Sequence, residues 1–147
     1  MKLGVSGKVP TPRYDHGACA VDLNRLVLYG GRSSNSTSLA SDELHLLRYS
    51  PETKEAAWCI LKTAGSKSPG NLYGHTLVFR KPYLVVFGGI RHAENDMRSA
   101  STYQGSAWLL NLDMVKKLEW MEIVSSNDKY PTPRAFHSAD VLYSNQQ

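Results

Sequence analysis

Three histidines set the first chemical question in this chain of 147 residues. His16, His75 and His137 stand 59 and 62 residues apart. An imidazole can ligate a metal, move a proton or hold a carbonyl. A zinc site wants about four ligands converging on one point. Single histidines at such long intervals, each heading a similar segment, read instead as repeated structural groups that bond neighbouring backbone. His45 falls inside an apolar run and His92 in a polar stretch, and neither has a cysteine or acid at metal-ligand spacing. No metal is expected. Nucleophilic catalysis needs a Ser or Cys near a His and an acid. Asp15 and Asp140 offer the acid, yet both sit in positions of the repeat. No Gly-x-Ser-x-Gly elbow and no phosphate-cradling Gly-rich loop occurs. Cys19 and Cys59 read as small buried apolar residues. No catalytic residue and no cofactor is expected.

The elements that carry these histidines recur. His16 closes Pro10-Thr11-Pro12-Arg13-Tyr14-Asp15-His16, and His137 closes Pro131-Thr132-Pro133-Arg134-Ala135-Phe136-His137. Between them lies Pro69-Gly70-Asn71-Leu72-Tyr73-Gly74-His75. An apolar run closed by two glycines follows twice, Leu26 to Tyr29 before Gly30-Gly31 and Leu84 to Phe87 before Gly88-Gly89. Trp58 and Trp120 are 62 residues apart. Independent markers that share one period indicate a repeat architecture.

Each period reads as four short strands, A to D. Gly17–Val21 and Thr76–Phe79 are strand A, and Leu26–Tyr29 and Leu84–Phe87 are strand B. The continuous apolar character of strand B predicts burial on both faces. Leu44–Tyr49 and Trp108–Leu112 are strand C. Trp58–Leu61 and Trp120–Val124 are strand D, reached through polar turns such as Ser50-Pro51-Glu52-Thr53. No segment carries a sustained helical stripe. Four strands per repeat implies a propeller blade, so an all-β fold is expected.

The order Pro-x-x-His, apolar strand, Gly-Gly, long loop, strand, Trp resembles the kelch repeat, in its longer-period class whose blades open with Pro-x-Pro-Arg-x-x-His. The resemblance covers almost the whole chain and implies a partial kelch β-propeller with blades of four antiparallel strands. The markers His16, Gly30, Gly31, Trp58, His75, Gly88, Gly89, Trp120 and His137 are then structural. The glycine pair lets the backbone pass close to the next blade, and the Trp buries area between blades. One departure stands out: Leu72 holds the slot of Arg13 and Arg134.

The expected organisation is a strand D tail of a preceding blade at 1–9, a first repeat at 10–65, a second at 66–128 and the start of a third at 129–147, with His137–Tyr143 as its strand A. Propellers close with about four to eight blades, and open blades leave unpaired edges. The expectation is therefore a segment of a longer kelch protein. Self-association of several copies through the open blade edges is the alternative.

Composition narrows the partners. The formal net charge is +4 and 20% of residues are charged, with lysines and arginines scattered rather than aligned in a basic stripe, so nucleic acid is not an expected partner. No apolar stretch approaches a membrane span, and Met1–Val5 carry no signal-peptide core. Two cysteines make no disulfide framework, which predicts a reducing compartment, the cytoplasm with the nucleus as alternative.

The long loops between strands B and C, Arg32–Asp42 and Ile90–Gly105, are candidates for function. The resemblance implies that the loops entering strand A and leaving strand B line one face around the central channel. Partner contacts are then expected at Arg13, Tyr14, Arg32, Asn35, Tyr73, Arg91, His92 and Arg134. Arginine binds carboxylate or phosphate through its fork, and tyrosine supplies stiff contact area. The expected function is a protein-interaction module docking a protein or peptide, acidic or phosphorylated in character. For Arg13 and Arg134 an inter-blade or backbone bond is the equal alternative. A second reading makes the blades the substrate-positioning part of a larger enzyme, such as a kelch-containing Ser/Thr phosphoprotein phosphatase. A copper oxidase on a similar propeller would need a Tyr/His/Cys constellation, which cannot be assembled from these residues.

Overall fold

Apolar runs too short for a helix, punctuated by glycine and turn residues, form strands throughout. A computed structural model describes residues 3–33, 42–94, 96–124 and 131–143, and no helix occurs among them. The first blade contains β3 (Gly17–Ala20), β4 (Arg25–Tyr29), β6 (Leu44–Ser50) and β7 (Glu55–Leu61), each antiparallel to the next. The second contains β8 (Thr76–Arg80), β9 (Tyr83–Phe87), β12 (Ala107–Asn111) and β13 (Trp120–Ile123) in the same order. All eight strands fall where the sequence pattern puts them, within a few residues at each end. Asp22 makes the turn between β3 and β4, accepting from the Asn24 N–H at 2.9 Å, the local bond that favours Asp in turns.

Five further short strands among the described residues lie outside these eight, one of them in the 1–9 stretch expected as the tail of a strand D. β1 (Gly4–Gly7) lies parallel to β7, with Gly7 opposite Trp58, and makes the first sheet five-stranded. The segment after β7 approaches the second blade in the same way, since Ala64 bridges Glu119 in parallel. Two small ribbons stand apart from the blades. β2 (Arg13–Tyr14) pairs with β5 (Arg32–Ser33), and β10 (Ile90–His92) pairs with β11 (Ser101–Tyr103). In the other direction, 137–143 carries no strand. A strand exists through its ladder, and among the described residues no strand pairs with this segment; Leu142 and Tyr143 are exposed.

One core runs through both blades. It joins Val27, Tyr29, Leu44 and Leu46 of the first to Leu77, Leu84, Val86, Trp108, Leu110 and Trp120 of the second, with Leu72 between. Leu84 and Val86 are fully enclosed, and each such side chain contributes about 1.5–3 kcal/mol. The seam between blades is built on Tyr29. Its ring lies 5.6 Å from Trp120 and 5.7 Å, edge-on, from His75, and its hydroxyl donates to the Gly70 carbonyl at 2.7 Å. His75 Nε2 donates to the Tyr29 carbonyl at 3.1 Å. Gly30 makes this approach feasible: it sits at φ +71°, and a Cβ there would lie 2.5 Å from both the His75 ring and the Leu72 carbonyl.

A face built by the repeat turns

The glycine pairs turn the chain back at the ends of β4 and β9, so that the residue after each pair meets the residues before strand A of its own blade. Tyr14 pairs with Arg32 on the first blade. Tyr73 bridges Ile90 on the second. The second glycine of each pair also reaches the next repeat, as Gly31 N–H donates to the Leu72 carbonyl at 2.7 Å and Gly89 N–H to the Arg134 carbonyl at 2.8 Å. The residues ahead of the histidines link in turn: Gly74 N–H donates to the Asp15 carbonyl at 3.0 Å, and Phe136 N–H to the Gly74 carbonyl at 2.7 Å. This main-chain relay brings Arg13, Tyr14, Arg32, Tyr73, Arg91, His92 and Arg134 to one end of the blades. Asn35 lies outside the described residues.

Arg32 is the centre of the face. Its guanidinium lies over the Tyr14 ring at 4.6 Å and the Tyr73 ring at 4.5 Å, within cation–π range. Nη2 is ion-paired to the Asp15 carboxylate. Both side chains are half-buried, 23% and 27% exposed, and the Arg32 Nε is buried with no hydrogen-bond partner. Tyr73 is covered and stacks on His92 at 5.8 Å. His92 Nδ1 donates to the Ser99 carbonyl at 2.9 Å. A carbonyl can only accept, so Nδ1 carries the proton and Nε2 receives the Tyr73 hydroxyl at 3.1 Å. Burial raises the Tyr73 phenol above its ordinary value. Tyr14 remains 47% exposed and Phe136, against Tyr73 at 6.3 Å, 62% exposed.

The other arginines are committed to the turns. Arg13 donates from Nη1 to the Gly30 carbonyl at 3.1 Å and from Nε to the Thr11 carbonyl at 3.1 Å. Arg134 holds its own Pro-Thr-Pro turn in the same manner, through the Thr132 carbonyl and hydroxyl, both at 3.0 Å. Arg91 donates from Nη2 to the carbonyls of Pro69 and Ser68, the latter at 3.4 Å. Leu72 is packed into the core, 1% exposed, where an arginine would lose its hydration. Sequence reasoning passed over Asp15 and Phe136 as face residues. The available signal was their shared place directly ahead of the histidine, equivalent to Gly74.

The chemistry of the remaining candidates is structural in form. His75 and His137 direct Nε2 at a neighbour, the Tyr29 carbonyl and the Thr76 hydroxyl, the latter at 3.1 Å. Burial pushes the Cys19 thiol up to about 11, where thiolate chemistry is suppressed. Cys19 and Cys59 are free and packed against the core. Among the described residues no cluster of His, Cys, Asp or Glu could hold a metal ion, and no helix is long and apolar enough to cross a membrane. A cleft of about 570 Å³ lies beside Trp58, Leu44, Leu61 and Lys8.

Comparison with known proteins agrees with this architecture. The sequence model of the KLHDC2/KLHL20/DRC7 Kelch-repeats domain matches residues 1–146. Adagio-like protein 3 of Oryza sativa subsp. japonica is 34% identical over 142 residues, which cover 96% of this chain and 20% of that protein. Host cell factor 1 of Homo sapiens is 30% identical over 144 residues, 95% of this chain and 6% of that protein. The chain thus spans a fifth or less of these two relatives. Among solved structures, YjhT superimposes with a TM-score of 0.57 at 19% identity, covering 86% of this chain and 31% of that one, a likeness of fold.

Proposed function

This chain belongs to the kelch-repeat family, in the group of the KLHDC2/KLHL20/DRC7 Kelch-repeats domain, and we propose that it works as a protein-interaction module that docks a protein or peptide segment on the face around Arg32. The observation that carries this is the convergence of Tyr14, Arg32 and Tyr73 from two blades, with one ring exposed and the cation between the repeats. Aromatic side chains and arginine dominate the energetics of protein interfaces because they bury large area at low entropic cost. In this reading Tyr14 and Arg32 contact the partner directly. Tyr73 and His92 hold the platform, and Arg13, Arg91 and Arg134 shape its turns.

An acidic or phosphorylated segment fits this reading through Arg32, whose guanidinium already pairs with a carboxylate. The blades act by positioning rather than by catalysis, an assignment supported by the use of His75 and His137 in inter-blade bonds. Two free cysteines suit a reducing compartment, the cytoplasm or nucleus.

The test is a peptide array spanning neutral, acidic and phosphorylated sequences, probed with the protein and with Tyr14→Ala/Arg32→Gln. Loss of bound spots in the double variant, with its unfolding midpoint little changed, supports the face. Identical binding by both proteins rejects it.

A further inference from the structure

The repeat supplies its own control for the Asp15–Arg32 pair. Asp15, Gly74 and Phe136 occupy equivalent positions, each directly before the blade histidine, and all three take a left-handed backbone, with φ of 56°, 67° and 57°. Arg32 and Ile90 are likewise equivalent, each directly after the glycine pair. Where the arginine is replaced by isoleucine, the aspartate is replaced by glycine. The blade frame therefore needs neither member of the pair. What the frame uses at this position is main chain, since the carbonyls of Asp15 and Gly74 accept from the next repeat in the same way.

The Asp15 carboxylate is thus free of any duty in the repeat and is spent on Arg32. It is also held at a conformational cost, because a non-glycine residue at positive φ is disfavoured, though Asp and Asn tolerate it best. The guanidinium it meets is half-buried, lies over two tyrosine rings and has one buried N–H without an acceptor. This is the environment in which a planar cation binds an oxyanion well.

We propose that Asp15 occupies the position on Arg32 that an anionic group of a docking peptide takes, and so determines the charge selectivity of the face. The inference rests on the interaction reading given above. A partner carboxylate or phosphate binds by displacing the Asp15 carboxylate, so only segments with further contacts to Tyr14 and its surroundings compensate for the exchange. Neutral segments make those contacts without it.

Asp15→Asn tests this, because Asn keeps the shape and accepts the left-handed backbone. The probes are fluorescent short-peptide pools centred on Glu, on phosphoserine and on Gln, titrated at low salt, where such pairing is least screened. The Glu and phosphoserine pools are expected to bind Asp15→Asn roughly three- to tenfold tighter than the unaltered protein, the range set by a partly buried ion pair. The Gln pool is expected to bind both alike, and Arg32→Gln on the Asp15→Asn background is expected to remove the gain. Asp15→Gly, the residue of the second repeat, guards against misfolding and is expected to show the same pattern. A gain shared by all three pools, a gain that survives without Arg32, or no gain in either Asp15 variant overturns the proposal. Binding that is lost in Tyr14→Ala but unmoved by Asp15→Asn overturns it while leaving the interaction face standing. Failure of every pool on every variant removes both.

Discussion

The imidazole of His75 donates from Nε2 to the main-chain carbonyl of Tyr29 at 3.1 Å, across the boundary between the two blades. The same ring packs edge-on against the Tyr29 side chain, so one histidine joins two blades through both a hydrogen bond and an aromatic contact. Its second nitrogen, Nδ1, is buried without a partner. That arrangement favours the neutral ring and makes the seam sensitive to acid.

Burial holds the His75 pKa down at about 4, against an ordinary 6.5, despite the opposing bond to Tyr29. A folded pKa below the unfolded one means that the unfolded chain binds the proton more readily. Stability is then complete above about pH 6.5 and is lost as pH falls from 6.5 towards 4. The loss is of the order of 3 kcal/mol, taken from the shift in pKa. His16 and His137 are shifted in the same direction, first by burial, and add to the slope. Urea midpoints measured across this pH range should fall with acid, and His75→Gln should flatten the curve. A pH-independent midpoint would contradict the buried neutral imidazole.

Gly30→Ala should be among the most damaging small substitutions. The new methyl group would meet both the His75 ring and the Leu72 carbonyl at 2.5 Å, and the backbone is left-handed. Strain and clash together should cost about 2–4 kcal/mol. Gly4→Ala is the control, since its methyl group meets only Glu55 Cγ at an ordinary 3.6 Å. Chemical denaturation should rank the two far apart; equal costs would remove the close approach as the reason for the glycine pair.

The two repeat tryptophans should not be equivalent. Trp120 is buried against Tyr29 of the other blade, and its truncation to alanine should cost about 3–5 kcal/mol. Trp58 is partly exposed and lines an open cleft, so Trp58→Ala should cost distinctly less. Thermal unfolding of the pair of variants would read this directly, and a larger effect at Trp58 would place the main seam elsewhere.

Arg13→Ala should act on stability rather than on recognition. The side chain ties Thr11 to the Gly30 carbonyl, and losing those bonds should cost about 1–2 kcal/mol. Peptide binding by the folded fraction should match the unaltered protein. A strong loss of binding at unchanged stability would instead assign Arg13 to the partner.

The fold was legible because its determinants are local. The apolar run of Leu84–Phe87, the glycines that follow it and the turn-forming Asp22 each act through neighbouring residues. Repetition of those signals at one period then specified blades of four strands without any long-range information. The strand edges, the glycine pairs and the recurrent histidine could all be read in one dimension. The small ribbons β2–β5 and β10–β11 could not, being two or three residues long and lacking an alternating pattern.

The roles of the arginines were a different matter, for a physical reason. Arg13, Arg91 and Arg134 bind main-chain carbonyls, and every residue has one, so no side-chain identity announces the partner. Arg32 and Asp15 stand 17 residues apart and meet because the glycine pair turns β5 back onto β2. His75 finds Tyr29 from 46 residues away because one blade stacks on the next. Sequence thus specified which residues are present on this face and that they recur. Which of them are spent on the frame, and that Arg32 is held by the Asp15 carboxylate against two tyrosines, followed from packing between repeats.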